Sequence, residues 1–263
     1  MKGVARRRAV RAERRCQQTG ARLTNLRELR AMLDWHLGSA HWLFIHIPKN
    51  AGVSIRKAPE LSGRIVSAEA YFYRSRAQVR EVRAAMAAKG EHHGIQHARW
   101  RDLDPKVTAR LAAVAIVRNP WARTVSRWRF ARLVAAQGKS DPADAPERFE
   151  AFLEQRHLYG HEPFFWHRAI KGWYPQADYV TDEAGEVRAD LLRFEHLDRD
   201  STRYFGLAAP LRRRNATAAT RLDYRDVYDA RTIQIVADWY ARDIELFDFD
   251  FDTPARRHTR YDD

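Results

Sequence analysis

Two short apolar segments, each ending in a polar loop that leads into a helical pattern, constrain this chain's fold most strongly. The first covers residues 42–47 (WLFIHI) and stops at Pro48. The second covers residues 111–117 (LAAVAIV) and stops at Arg118. Short apolar runs of this kind are typical of strands buried on both faces. Because strands then alternate with helices, we predict an α/β fold with a mainly parallel sheet and helices on both faces.

The remaining elements follow the same pattern. We predict further strands at residues 64–67, 177–180 and 191–194, and helices at residues 74–89, 121–136 and 229–246. Residues 1–40 read as a basic helical extension that precedes a domain spanning residues 41–263. Within the extension, apolar residues recur at helical spacing and predict an amphipathic helix packed on the domain: Leu23, Leu26, Leu29, Met32 and Leu33.

Composition narrows the class of protein. The chain has 263 residues, of which 45% are hydrophobic, which suffices for a substantial core and argues against disorder. The net charge of +13 favours polyanionic partners without selecting among nucleic acid, anionic glycan, membrane lipid and a phosphorylated cofactor. No recognised nucleic-acid motif accompanies this charge, so we expect no specific nucleic-acid partner.

Features of the N-terminal region bear on location. No apolar run reaches membrane-spanning length, and no signal-peptide pattern follows the basic residues at the start of the chain. The single cysteine, Cys16, cannot form an internal disulfide, which favours a reducing compartment. We therefore expect a cytoplasmic protein, with peripheral membrane contact through the basic N-terminus as an open alternative.

The first loop has the physical features of a phosphate cradle. A predicted strand leads into Pro48-Lys49-Asn50-Ala51-Gly52 and then into a helix near Val53. Such a turn presents backbone N–H groups to an anion, and Lys49 and Ser54 add a charge and a hydroxyl. The loop differs from a Walker A motif because its lysine precedes its glycine.

The second loop offers another anion site. Arg118 follows the strand and can present a planar guanidinium to phosphate oxygens, while Ser126 lies two turns into the next helix. No aspartate ends this strand, as the magnesium site of a P-loop NTPase would require. The pattern therefore argues against a magnesium nucleotide, and it predicts no metal.

At these residues the sequence resembles a known family. FIHIPKNAGVS and IVRNPWARTVS resemble the 5′-phosphosulfate and 3′-phosphate motifs of the carbohydrate-type sulfotransferases (sulfotransferase family 2). These enzymes use 3′-phosphoadenosine 5′-phosphosulfate (PAPS) and release adenosine 3′,5′-bisphosphate. LRFEHL at residues 192–197 and the segment 228–247 are also similar to the family. The resemblance spans residues 42–251 and implies a three-layer, P-loop-like fold.

The resemblance also implies residue roles. Lys49 would contact the leaving phosphosulfate as a catalytic residue, and Arg118 and Ser126 would hold the 3′-phosphate. The 5′-phosphate would be held by the backbone of the first loop with Ser54, that is by Lys49, Asn50, Ala51, Gly52, Val53 and Ser54. The chain departs from the family at two of these positions, because Asn50 and Val53 replace threonines. Backbone donors survive both changes.

Sulfuryl transfer to a hydroxyl also needs a general base. Histidine suits this role because its pKa lies near neutrality. His97-Ala98-Arg99 resembles the segment that carries the base in bacterial members of the family, so we predict His97, with His92 and His93 as alternatives that can also contact substrate. Glu195 follows a predicted strand and can orient the acceptor or the base, or act as a cap.

The acceptor is less constrained than the donor. Positive charge and the resemblance favour a glycan hydroxyl, with an anionic glycan included, while tyrosine and small-molecule hydroxyls remain open. Two other readings also remain: a basic nucleic-acid-binding protein and a non-catalytic protein that retains the fold. The oligomeric state is not indicated by the sequence.

Overall fold

A four-stranded parallel sheet forms the centre of the domain. The computed structural model describes residues 29–88, 96–161, 172–212 and 223–262. The strands are β1 (Trp42–Ile45), β2 (Ile65–Ser67), β3 (Ala112–Val117) and β4 (Asp190–Arg193). They lie in the order β2-β1-β3-β4, and every neighbouring pair is parallel. The prediction of an α/β fold with a mainly parallel sheet is therefore confirmed.

Helices connect these strands. Those before β3 are α1 (residues 29–36), α2 (Gly52–Arg56), α3 (Arg76–Ala88) and α4 (Pro105–Thr108). Between β3 and β4 lie α5 (Pro120–Ala136), α6 (Phe149–Glu154), α7 (Arg156–Tyr159) and α8 (Ala177–Val180). The described helices after β4 are α9 (Leu197–Phe205), α10 (Ala230–Trp239) and α11 (Ala241–Phe247).

The sheet is covered on both faces, which makes the domain three-layered. Successive strand residues alternate between two buried clusters, as the period of two in a strand requires. Leu43 and Ile45 of β1 pack in a cluster that includes residues of α5 and α10, whereas Phe44 packs with residues of α2 and α9. Continuous apolar strands therefore reflect burial on two sides.

The strand order sets the place of the site. After β1 the chain goes to β2 on one side of that strand, and it later returns to β3 on the other side. The loops that follow β1 and β3 thus leave neighbouring carboxyl ends of the sheet in different directions. In open α/β sheets this switch point is where ligands bind.

Two predicted elements were wrong. Residues 177–180 are a short helix rather than a strand. Ala177, Tyr179 and Val180 are all buried, and a short apolar run cannot by itself distinguish a buried strand from a buried turn of helix. The long C-terminal helix is divided at Tyr240, whose backbone leaves the helical region at φ −107° and ψ 25°.

The described part of the N-terminal extension packs on the domain with a face that only partly matches the predicted one. Ala31 is buried, and Met32 and Trp35 pack against the larger core cluster. Leu29 and Leu33 instead remain about half exposed, at 55% and 48%. Residues 1–28 lie outside the described part of the chain, and the boundary at residue 40 stays a prediction. None of the helices described is long and apolar enough to cross a membrane.

Candidate active site

The first loop is held in a conformation suited to anion binding. Lys49 and Ala51 both adopt left-handed backbone angles, with φ of 69° and 57°. Non-glycine residues rarely do so, and turns that contain such residues can point successive N–H groups toward one anion. The next residue is Gly52, and a Cβ at this position would lie 2.0 Å from ring atoms of His46. The loop therefore requires glycine for packing against that histidine.

Lys49 carries a destabilised positive charge. Its ammonium nitrogen lies 4.0 Å from the centroid of the Phe130 ring on α5. Burial, together with the charges of Arg118 and Arg127, lowers the pKa of Lys49 to about 8. A partly desolvated ammonium among other cations is stabilised by an incoming anion. Burial and the neighbouring cations therefore make this position favourable for an anion.

The other residues of the first loop divide between backbone and interior roles. The Asn50 side chain points into the protein, where its Nδ2 donates to the carbonyl of Ile116 at 2.7 Å. Ser54 is buried in α2, and its backbone N–H donates to the carbonyl of Ala51 at 2.8 Å. Val53 is partly exposed in the first turn of α2. A ligand at this loop would thus meet the backbone of Asn50, because the side chain is buried and directed into the protein.

Arg118 joins the second loop to the first. Its Nη1 donates to the carbonyl of Lys49 at 3.2 Å, and its guanidinium lies 4.0 Å from the Phe194 ring centroid. Burial lowers the pKa of Arg118 to about 10, which leaves the group charged at neutral pH. The two predicted anion loops are therefore in direct contact.

The N-terminus of α5 does not offer its own first amides to a ligand. The Oδ1 of Asn119 accepts from the N–H groups of Trp121 and Ala122, at 3.0 and 3.2 Å. Pro120 occupies the first turn, as expected for a residue without an N–H group. Side chains rather than helix amides must therefore bind an anion here.

Ser126 lies on the face of α5 that approaches the first loop. On this helix, Arg123 donates from Nε to the carbonyl of Pro48 at 3.2 Å, and Phe130 contacts Lys49. Residues three and four apart lie on one helix face, so Ser126 belongs to the same side. It is partly exposed. Ser126 thus lies on the side of α5 that faces the first loop.

His97 is anchored to the same loop. Its Nδ1 lies 2.8 Å from the carbonyl oxygen of His46. A carbonyl only accepts, so Nδ1 carries the hydrogen and Nε2 of the neutral ring is the accepting nitrogen. The Gln96 amide nitrogen is 3.4 Å from that Nε2, and the ring is 5% exposed. This tautomer is the one a general base requires.

The remaining predicted residues differ in what can be said of them. The Oε1 of Glu195 accepts from the N–H of Asn119 at 2.9 Å, which ties the end of β4 to the second loop. This contact is a positioning one, and an acceptor-binding role for Glu195 stays a prediction. His92 and His93 lie outside the described residues. Within the described ranges, no group of three His, Cys, Asp or Glu side chains could hold a metal ion.

Two buried residues near the loops were not predicted. Arg123 is 1% exposed and bonds to the carbonyls of Pro48 and Tyr174. Gln176 is completely buried and contacts both loops. Arg123 stands inside the quoted motif and could have been noticed there. Gln176 follows the second loop by almost 60 residues and has no local signature.

Comparison with known proteins supports this geometry. A family model described as "Sulfotransferase family" matches residues 38–250, which is most of the chain and includes both loops, His97 and Glu195. A search of curated proteins gave no match. The fold, the order of the motifs and the extent of this match lead to one conclusion: the chain belongs to the sulfotransferase family.

Proposed function

We propose that this sulfotransferase moves a sulfuryl group from PAPS to the hydroxyl of an acceptor, and that the acceptor is a carbohydrate. One observation carries the donor assignment: the guanidinium of Arg118 donates to the backbone carbonyl of Lys49 at 3.2 Å. Two cationic loops in contact provide paired sites for a ligand with two separated phosphates. Adenosine 3′,5′-bisphosphate and its sulfated form have that charge distribution.

The residues present fit this donor. The backbone of residues 50–52, with Lys49 and Ser54, would hold the 5′-phosphosulfate, and Arg118 and Ser126 would hold the 3′-phosphate. When bound, PAPS supplies the sulfuryl group. Lys49 would hold positive charge near the leaving oxygen, where negative charge accumulates, and electrostatic stabilisation of this kind is usually the largest single contribution to catalysis.

We assign to His97 the role of the general base that accepts the proton of the acceptor hydroxyl. Because Nδ1 donates to the His46 carbonyl at 2.8 Å, Nε2 holds the lone pair that can accept a proton. Once protonated, the ring keeps its bond to that carbonyl, so the imidazolium remains in place. A base with a pKa near neutrality is effective at this step.

The acceptor assignment rests on charge and family. The net charge of +13 favours an anionic glycan over a neutral small molecule. We place the reaction in the cytoplasm because the single Cys16 cannot form an internal disulfide. A peripheral membrane contact through the basic N-terminus is a further expectation.

Two experiments test the proposal. Adenosine 3′,5′-bisphosphate should raise the thermal midpoint of the protein more than ATP with magnesium, because a ligand that binds the folded state stabilises it. A preference for ATP with magnesium would refute the donor assignment.

Sulfur-35-labelled PAPS should then label an acidic oligosaccharide in a panel that also contains neutral sugars, a tyrosine peptide and a phenol. Labelling confined to the peptide or the phenol would refute the carbohydrate acceptor.

A further inference from the structure

A buried glutamine joins the two anion loops. We propose that Gln176 is a positioning residue that fixes the spacing between Lys49 and Arg118, so that the two phosphates of the donor are recognised as one unit. The inference rests on the proposed donor, because it concerns how the same site binds it. The chemistry it addresses is a nucleotide with phosphates at both the 3′ and 5′ positions.

The side-chain amide of Gln176 contacts both loops through hydrogen bonds. Its Oε1 accepts from Asn50 Nδ2 at 2.6 Å and from the backbone N–H of Arg118 at 2.9 Å. Its Nε2 donates to the backbone carbonyl of Arg118 at 2.8 Å. One amide group therefore satisfies the peptide groups on both sides of Arg118 and the side chain of the first loop.

Asp243 on α11 holds the backbone of Gln176 in place. Its Oδ2 accepts from the backbone N–H of Gln176 at 2.8 Å, and its Oδ1 accepts from that of Ala177 at 2.8 Å. Gln176 Nε2 lies 3.3 Å from the same Oδ2. Because Gln176 and Asp243 are both 0% exposed, water cannot replace these partners. The loop contact is thus attached to a helix of the core.

These contacts close into a ring. Lys49 precedes Asn50 in the chain, Asn50 bonds to Gln176, Gln176 bonds to the backbone of Arg118, and the Arg118 guanidinium returns to the carbonyl of Lys49 at 3.2 Å. Within the ring Gln176 acts through its acceptor Oε1, and its Nε2 adds the bond to the Arg118 carbonyl, so the site uses both the acceptor and the donor of the amide. Methionine has a similar shape and supplies neither, so it isolates the hydrogen bonds from the packing.

The test compares two nucleotides that differ in the 3′-phosphate. Calorimetric titration gives the dissociation constants of adenosine 3′,5′-bisphosphate and of 5′-AMP for wild type and for Gln176→Met. The dissociation constant of 5′-AMP divided by that of adenosine 3′,5′-bisphosphate measures the preference for the 3′-phosphate. We expect Gln176→Met to lower that ratio about tenfold, the scale of one buried hydrogen bond, and to raise the KM for PAPS while leaving the acceptor KM unchanged.

A matched control is available on α10. Gln234 is exposed, and its Nε2 donates to Asp238 at 2.7 Å, so Gln234→Met removes a glutamine–aspartate contact on the solvent-exposed side of α10. It should leave the ratio at the wild-type value. If Gln176→Met is not recovered folded, Asn50→Ala removes the contact from the other side and should lower the ratio in the same direction.

The outcomes separate this inference from the proposed donor. A wild-type ratio near one would overturn the donor assignment, and this inference with it. A strong wild-type preference that Gln176→Met leaves unchanged, even where both affinities fall by the same factor, would overturn the role of Gln176 and leave the donor assignment intact.

Discussion

Replacing Lys49 by methionine should abolish sulfuryl transfer and yet make the free protein more stable at neutral pH. Its pKa is lowered from the ordinary 10.5 to about 8, chiefly by burial. A difference of about 2.5 units corresponds to about 3 kcal/mol by which the charged form weakens the folded state. The lost contact with Phe130 offsets about 1 kcal/mol of this gain. We therefore expect Lys49→Met to stabilise the protein by about 2 kcal/mol.

The difference in stability between wild type and Lys49→Met should depend on pH. Below pH 8 the lysine is charged in both the folded and the unfolded state, and the full difference is present. Between about pH 8 and 10.5 the folded protein releases the proton first, so the unfolded state binds more protons and wild-type stability rises with pH. The gap between wild type and Lys49→Met should therefore close over this range.

Urea or thermal unfolding of the ligand-free proteins at pH 7 and pH 10 measures both effects. A change of about 2 kcal/mol should shift the thermal midpoint by about 5 °C in a chain of this size. Lys57→Met is the matched control, because Lys57 is an exposed lysine that follows the same loop and α2. A variant no more stable than wild type at pH 7, or a gap independent of pH, would refute the reasoning.

Three further predictions test the site. His97→Gln should lower turnover about 100-fold or more, which is the scale of a lost general base, and should leave the dissociation constant for adenosine 3′,5′-bisphosphate unchanged. Full turnover in this variant would remove His97 from the role of base. Arg118→Ala should weaken that bisphosphate at least tenfold in a titration and leave 5′-AMP within about twofold, since charge-assisted bonds to the 3′-phosphate are lost; an equal loss for both nucleotides would contradict the assigned contact. Gly52→Ala should lower the thermal midpoint because its Cβ would lie 2.0 Å from the His46 ring, and His46→Ala in the same chain should restore part of the loss; no recovery would show that another contact is responsible.

Local chemistry made most of the architecture readable from the sequence. Continuous apolar strands between helical patterns predicted the parallel sheet, and the strand-to-loop transitions at Pro48 and Arg118 located both loops. The errors fell at a short element and at a break within a helical pattern. Residues 177–180 are mostly buried, and so short a segment fits a strand as well as a turn of helix. The helical pattern of residues 229–246 did not indicate the break at Tyr240, where the backbone takes φ −107° and ψ 25°.

Candidate residues for the site could be named from the sequence, whereas their contacts could not. Lys49, Arg118 and Ser126 stand in recognisable motifs, and His97 could be selected among neighbouring histidines by resemblance. The tautomer of His97 could not be predicted, because it depends on a carbonyl 51 residues earlier in the chain. The inward turn of Asn50 was also unpredictable, since its partners are Ile116 and Gln176.

The sequence by itself thus determined the strand-loop-helix units, the two cationic loops and the family, because each is encoded by residues adjacent in the chain. Only the tertiary structure decided how the loops are held together. Gln176 reaches the loops, and Asp243 reaches Gln176, through chain folding alone, and these buried hydrogen bonds fix a spacing that no local pattern encodes. The physical reason is that a buried polar group must find its partner wherever the fold places one.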